Sequence, residues 1–366
     1  MEMRVGSPDS KTFGIGVRNA YAWTTSRERT SLTEMIRKLV VFVTFIFLFS
    51  SPSLAQESKR PISAMQAIST IDFGYLPTLL ARSKGFFVQE GLDLKLLVVS
   101  VRVSVPALMS REVHFAAAGS SMPAALKGAP LKAIYYTYKT STFQLIVRPD
   151  IAGPQNLKGK AIAVSSPGSS NDQAARLMLK KLGLEPGRDV TLLATGDSQA
   201  RLLAMESNLA AGSAVNPDVA AHLAPRGYRI LMNSAEVYPV PFSGMAAHEA
   251  LIRDNPELIK RWLRAHIRAI LYIRKNPEDA AQVAAKELKL TPEVALGATR
   301  LLLPVISADD PGGFTEYGMR LNLEYSASRQ GGDASKVAIA QVADINLLRE
   351  VQREMGIHCK DGWQCK

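Results

Sequence analysis

The chain has 366 residues, 47% hydrophobic, 21% charged and 7% aromatic, which are globular proportions that exclude disordered, collagen-like and coiled-coil classes. Forty-four Lys and Arg against 33 Asp and Glu leave a net charge of +11, yet no Lys/Arg run exceeds two residues, so nucleic acid is not an expected partner. Two cysteines rule out a disulfide scaffold and a four-cysteine zinc site.

Met35-Ile-Arg37-Lys38 precedes the apolar run Leu39–Phe49, and Ser50 to Gln56 closes it with small residues. A positive start, an apolar run and a small-x-small end predict a secretory signal peptide over 35–55, cleaved after Ala55, with a periplasmic product. The apolar run is short of the roughly 20 residues that span a bilayer. Residues 1–34 are polar and patternless and read as a non-native extension ahead of a true start at Met35.

From there strands and helices alternate. Met65–Asp72 reads as a buried strand, Phe73-Gly74-Tyr75-Leu76-Pro77 as the loop after it, and Thr78–Lys84 as a short helix with Pro77 in its first turn. Leu92–Val99 is a strand, Val103–Met109 a helix and Val113–Ala117 a strand; Gly119-Ser120-Ser121 then leads to a helix opened by Pro123. Leu131–Tyr138 and Gln144–Arg148 are strands, the former with one cleft-facing side. The pattern restarts after Pro149: strands at Ala161–Ser165, Val190–Ala194 and Ala211–Val215, helices at Asp172–Leu182 and Gln199–Met205, and another helix opened by Asn216-Pro217. Helices follow at Pro256–Lys275, Pro277–Leu288, Pro292–Leu303, Thr315–Arg329 and Ser335–Glu354. The fold class expected is α/β, two lobes of mainly parallel sheet flanked by helices and a helical C-terminal part. Lobe 1 covers 62–149, lobe 2 covers 150–240, and 241–366 returns to lobe 1.

Ligands in open parallel sheets bind beyond the carboxyl ends of the strands. Those ends carry Phe73, Gly74 and Tyr75; Ser120 and Ser121; Ser166, Ser169, Ser170 and Asn171; and Asn216. Ser and Asn are also ordinary helix caps, but four such loops on two lobes point to one shared cleft. Asp172, near a helix start, would compete with a bound anion. No phosphate loop, dinucleotide fingerprint, zinc-protease motif or nucleophile elbow occurs, so no catalytic residue, cofactor or metal ligand is assigned. His114, His222, His248 and His266 are scattered and read as surface or packing residues. Cys359 and Cys365, six apart, fit a small disulfide loop in an oxidising compartment; a metal pair with His358 would lack ligands.

Phe73 to Pro77, followed by Ala81-Arg-Ser-Lys84-Gly85-Phe86-Phe87-Val-Gln-Glu90-Gly91-Leu92-Asp93, resembles the opening signature of the nitrate/sulfonate/taurine class of ABC-transporter solute-binding proteins, the NMT1-like class. Asn156 to Val164 resembles the start of that family's second lobe. The resemblance covers about Ile62 to Leu231. It implies a two-lobed periplasmic-binding-protein fold of type II-like topology, a ligand clamped between lobes, and those ten loop residues in the cleft. The implied partners are a small anionic or zwitterionic solute (sulfonate, nitrate, carboxylate or pyrimidine-like) and an inner-membrane permease with its ATPase, met transiently by a monomer. An enzyme of the same fold, acting on a pyrimidine precursor or small carboxylic acid, is the alternative; the family's cysteine-rich iron motif is absent. The family's Gly-x-Val-Asp-Ala-like strand entries read here Arg111-Glu112-Val113-His114-Phe115 and Ser207-Asn208-Leu209-Ala210-Ala211, without the glycines and aspartates.

Overall fold

A computed structural model describes Arg37, residues 61–328 and residues 333–365. The chain divides after Ser58, and both sheets with their helices belong to the unit from Lys59 onward. The expected signal peptide and the extension before it lie outside the described residues, Arg37 apart.

The first half of the unit builds one layer. β1 (Ile62–Ile68) is followed by a 3-10 turn at Phe73–Tyr75, α1 (Leu76–Ser83) and α2 (Phe86–Gln89). Then come β2 (Leu92–Val98), α3 (Val101–Met109), β3 (Phe115–Ala117), α4 (Ala118–Leu126) and β4 (Leu131–Tyr138). Gly85, at φ +71, supplies the left-handed residue that lets α1 end and α2 begin at once. Helix α4 starts at Ala118 and carries Pro123 inside it, so Ser120 and Ser121 are helical rather than part of a loop. The three-residue β3 runs straight into that helix, and Ser121 Oγ donates to the Ala117 carbonyl at 3.0 Å, closing its first turn.

The chain then crosses to a second layer: β5 (Gln144–Val147), β6 (Ala161–Val164), α5 (Ser170–Lys181), β7 (Thr191–Ala194), α6 (Ser198–Glu206), β8 (Gly212–Val215), α7 (Pro217–Leu223) and β9 (Arg229–Asn233). It returns through β10 (Phe242–His248) and α8 (Glu249–Asp254) to α9 (Pro256–Lys275). Helices α10 (Pro277–Leu288), α11 (Pro292–Leu302), α12 (Glu316–Ser328), α13 (Ile339–Val342) and α14 (Asn346–Glu354) complete it.

Among the described residues, one sheet has the order β2-β1-β3-β10-β4 and the other β7-β6-β8-β5-β9. In each, four strands run the same way, while the strand arriving from the opposite lobe lies antiparallel to both neighbours. Each sheet is therefore mainly parallel, as expected, with one reversed strand. A strand entering from the interlobe side must run against strands that end there. The same pairing moves a boundary: Gln144–Val147 belongs to the second sheet, so lobe 2 begins at β5, before the position 150 expected.

Helix α9 covers the first sheet. Asn255 caps it by accepting from the Leu258 N–H at 3.3 Å, Pro256 occupies its first turn, and Leu258, Ile259, Trp262, Leu263, Ile267 and Ile270 are buried along one stripe. Trp262 stacks on Phe115 at 4.6 Å and meets the edge of Tyr135 at 5.4 Å. Burial of such large side chains stabilises the lobe by roughly 1.5–3 kcal/mol each.

Two further differences have local causes. The continuous helix expected over Ser335–Glu354 is interrupted, because Ala343 bridges to Ala133 and the Asp344 N–H donates to the Ala133 carbonyl, extending the β4 edge. Arg111 and Asn208, in the strand entries that lack the family's glycine, both sit at φ +66. The turn keeps its left-handed backbone although the residue type that favours it is gone.

Candidate functional site

Each lobe brings two parallel-strand ends to the same place. β1 delivers Asp72 to Tyr75, β3 delivers Gly119 and Ser120 at the head of α4, the β6–α5 loop delivers Gly168 and Ser170, and β8 delivers Asn216 to Asp218 at the head of α7. The crossing segments add Tyr136, Tyr138 and Thr142 from one side and Tyr238 and Val240 to Gly244 from the other. Together they enclose a cleft of about 470 Å³, within the roughly 300–1,000 Å³ usual for small-molecule sites.

The loop after β1 is held from three directions. Asp72 caps the 3-10 turn, its Oδ1 accepting the Gly74 N–H at 2.8 Å. The Tyr138 hydroxyl donates to the Phe73 carbonyl at 2.5 Å, tying β4 to this loop. A Cβ on Gly74 would lie 2.4 Å from Ser243 Oγ, so only glycine lets β10 approach this closely. Ser243 itself is at φ +54, a backbone strain of about 1–3 kcal/mol of the kind that gathers at binding sites.

The β6–α5 loop is braced inside its own lobe. Asn171 Oδ1 accepts the Ser165 N–H at 3.2 Å, and its Nδ2 donates to the Ala214 carbonyl at 3.3 Å. Ser169 caps α5, its hydroxyl accepting the Asp172 N–H, and Ser166 offers its carbonyl to Ser169 Oγ at 2.7 Å. Asp172, 1% exposed, turns to the Gly168 N–H at 2.8 Å and to Arg176 at 3.0 Å, away from the cleft.

Of the residues expected from the sequence, Phe73, Gly74, Tyr75, Ser120, Ser170 and Asn216 line the cleft. Ser121, Ser166, Ser169 and Asn171 are not among the lining residues; their bonds shape the helix starts. Sequence reading did not single out Asp72, Tyr136, Tyr138, Asp218, Tyr238, or the stretch of β10 from Phe242 to Gly244. The i, i+2 spacing of Tyr136 and Tyr138 and the position of Asp72 at a strand end were legible signals. β9 and β10 went unassigned, and with β10 the wall it builds.

Tyr136 lines the cleft and is 2% exposed, and its enclosed hydroxyl has no hydrogen-bond partner among the described residues. Its ring lies against Gly244, its cross-strand partner, where a Cβ would stand 2.4 Å from Cε1; Phe314 meets it edge-on at 5.6 Å. Burial raises the phenols of Tyr75, Tyr136 and Tyr138, which stay protonated. Asp72 is pushed up to about 6, by burial first and then by the charge of Asp218 across the cleft, against the opposing hydrogen bond from Gly74. Burial also raises Asp218, from the other lobe. Among the described lining residues there is no Lys or Arg. The arrangement offers aromatic faces, hydroxyl and amide groups, and two carboxylates. No group of three or more His, Cys, Asp or Glu that could hold a metal ion occurs among the described residues.

Residues 72–280 match the family model described as NMT1/THI5 like. The riboflavin-binding protein RibY of Chloroflexus aurantiacus is 26% identical over 285 residues, 75% of this chain and 79% of that protein. Among solved structures, the periplasmic aliphatic sulphonate binding protein SsuA from Escherichia coli is 16% identical with a TM-score of 0.61, covering 78% of this chain and 92% of its own. The periplasmic nitrate-binding protein NrtA from Synechocystis PCC 6803 is 16% identical with a TM-score of 0.58, covering 80% and 89%. At those identities the two structures establish a shared periplasmic-binding-protein fold.

Proposed function

The chain belongs to the NMT1/THI5-like family, and from that premise we propose that it is the periplasmic solute-binding component of an ABC importer. It captures one small organic solute between its lobes as a monomer and delivers it unaltered to an inner-membrane permease and its ATPase. The observation that carries this reading is the composition of the cleft wall, drawn from both lobes and from both crossing segments. A solute touching both walls binds the closed state better than the open one, and closure follows from that differential affinity.

Aromatic side chains on several sides (Phe73, Tyr75, Tyr136, Tyr138, Tyr238 and Phe242) favour a solute with a flat ring. The riboflavin-binding relative supports the same choice. Export by the segment 35–55 completes the reading, and no helix among the described residues is long and apolar enough to cross a membrane. The test is titration calorimetry and small-angle scattering on purified protein against a panel of sulfonates, carboxylates and heterocycles, riboflavin included. Stoichiometric binding with a smaller radius of gyration is expected; turnover of a bound compound into product would overturn the reading in favour of an enzyme.

A further inference from the structure

The cleft holds a charge arrangement that the capture reading does not by itself require. Asp72 stands at the end of β1 in the first lobe and Asp218 in the first turn of α7 in the second, both half-buried in the wall of one cavity. Neither forms an ion pair among the described residues, and each other group that meets them is a backbone N–H, a phenol or the His222 imidazole on α7. Buried carboxylates without a cation are costly, and two of them repel more strongly as the surfaces that carry them approach. A third group belongs to the same wall: Tyr136, whose enclosed hydroxyl has no partner among the described residues. Leaving it so forfeits a hydrogen bond, which a solute acceptor at the ring edge would restore.

We propose that the solute carries a positively charged or N–H-rich nitrogen group that seats between Asp72 and Asp218, with an acceptor reached by Tyr136, and that the two carboxylates hold the lobes apart until it arrives. This rests on the capture reading and departs from the anionic solutes that the family resemblance implied. The nitrogen group cancels the repulsion only when both lobes contact it, so the same interaction that binds the solute permits closure.

The experiment compares small probes of opposite charge, benzamidinium and benzoate being matched in shape. Benzamidinium and 2-phenylethylammonium are titrated against benzoate, benzenesulfonate and nitrate, using the full chain, with melting temperature, calorimetry and scattering as readouts. The cations should bind and reduce the radius of gyration, and Asp72→Asn or Asp218→Asn should each weaken them at least tenfold. Without any probe, the double Asn variant should be more compact than the parent protein, because the repulsion is gone. An anion that binds and closes the lobes would sink the charge inference and leave capture standing. A cation that binds through the two aspartates without closure would keep them as the nitrogen site but overturn their role in holding the lobes apart. Failure of both cations to bind, undiminished cation binding by the Asn variants, or an unchanged radius for the probe-free double variant would each overturn the inference.

Discussion

The Nε2 of His266 lies 2.9 Å from the Oγ1 of Thr78, joining α9 to α1 through a buried circuit. Trp262 Nε1 donates to Gln66 Oε1 at 3.0 Å, Gln66 Nε2 donates to Thr78 at 3.3 Å, and His266 Nδ1 faces the Trp262 carbonyl at 2.9 Å. A carbonyl can only accept, so Nδ1 carries the hydrogen and Nε2 accepts from Thr78. Every member then has a partner, and the imidazole is neutral.

This circuit makes stability depend on pH. Burial pushes His266 down to about 3, against the weaker opposing effect of its bond to the Trp262 carbonyl. The unfolded chain takes up this proton near pH 6.5, the native chain only near 3, so stability from this group is full above 6.5 and is lost as pH falls through that window. Urea unfolding between about pH 7 and 4 should show a loss of up to about 1.4 kcal/mol per pH unit from this group. His266→Gln should flatten that slope even if it lowers stability throughout; an unchanged slope would exclude the imidazole as the proton acceptor.

Asp72 behaves in the opposite sense. Its raised value, about 6 against an ordinary 3.8, means that stability is full below 3.8 and falls as pH rises through 6. The groups facing it are Asp218 from α7, Tyr75 from its own turn and Tyr138 from β4. Asp72→Asn keeps the acceptor for the Gly74 N–H and removes the charge. It should stabilise the ligand-free protein by about 1 kcal/mol at about pH 7.5, a figure discounted for the solvent that reaches the cleft, and by nothing at about pH 3.5. Equal effects at both values would refute the assignment.

Tyr136→Phe deletes a hydroxyl that has no partner among the described residues. Ligand-free stability should hold or rise slightly, while solute affinity falls by about 1 kcal/mol. Gly244→Ala places a methyl 2.4 Å from the same ring, at Cε1, and should cost about 1–3 kcal/mol of stability and reduce affinity as the ring is displaced. Melting curves with calorimetry check both; an affinity unaffected by either change would remove Tyr136 from the site.

The disulfide between Cys359 and Cys365 closes a small loop that includes Trp363. Trp363 stacks on Phe314 at 5.3 Å, its backbone N–H donates to the Phe314 carbonyl at 2.8 Å, and Arg349 Nη2 donates to the Trp363 carbonyl at 2.6 Å. Phe314 in turn packs on Tyr136. Replacing both cysteines by serine should lower stability by roughly 2 kcal/mol, the chain-entropy value for so short a loop, with a smaller loss of solute affinity. A melting temperature that neither reductant nor the double variant changes would mean that the loop holds itself by packing alone.

Arg111→Gly should stabilise the protein by about 1 kcal/mol, since an exposed arginine at φ +66 is held in a left-handed backbone that glycine adopts freely. Asn208→Gly should gain less, because asparagine tolerates that region. Equal melting temperatures for parent and Arg111→Gly would refute the strain.

The elements that sequence reading placed well are those whose signal is local. Pro256–Lys275 and Pro277–Leu288 carry a proline at the first turn and an apolar stripe at helical spacing, and Leu131–Tyr138 alternates sides, so the structure keeps those bounds. Arg229–Asn233 and Phe242–His248 went unseen because they are held by cross-strand partners such as Tyr136 with Gly244 rather than by their own pattern. Ser121 and Asn171 have the residue types of a binding loop, but neighbours two to forty-three positions away already occupy their polar atoms. Residue type cannot report that.

What the chain determined by itself is its alternation of strand and helix, the two-lobed class and the loops that follow the strands, because neighbours within one or two turns fix backbone dihedrals and the buried face. Which strands invade which sheet, which polar groups face the cleft, and that Asp72 meets the field of Asp218 from the other lobe were decided only by tertiary structure. Those relations join residues remote in sequence, and their energies exist only once the low-dielectric walls around them have closed.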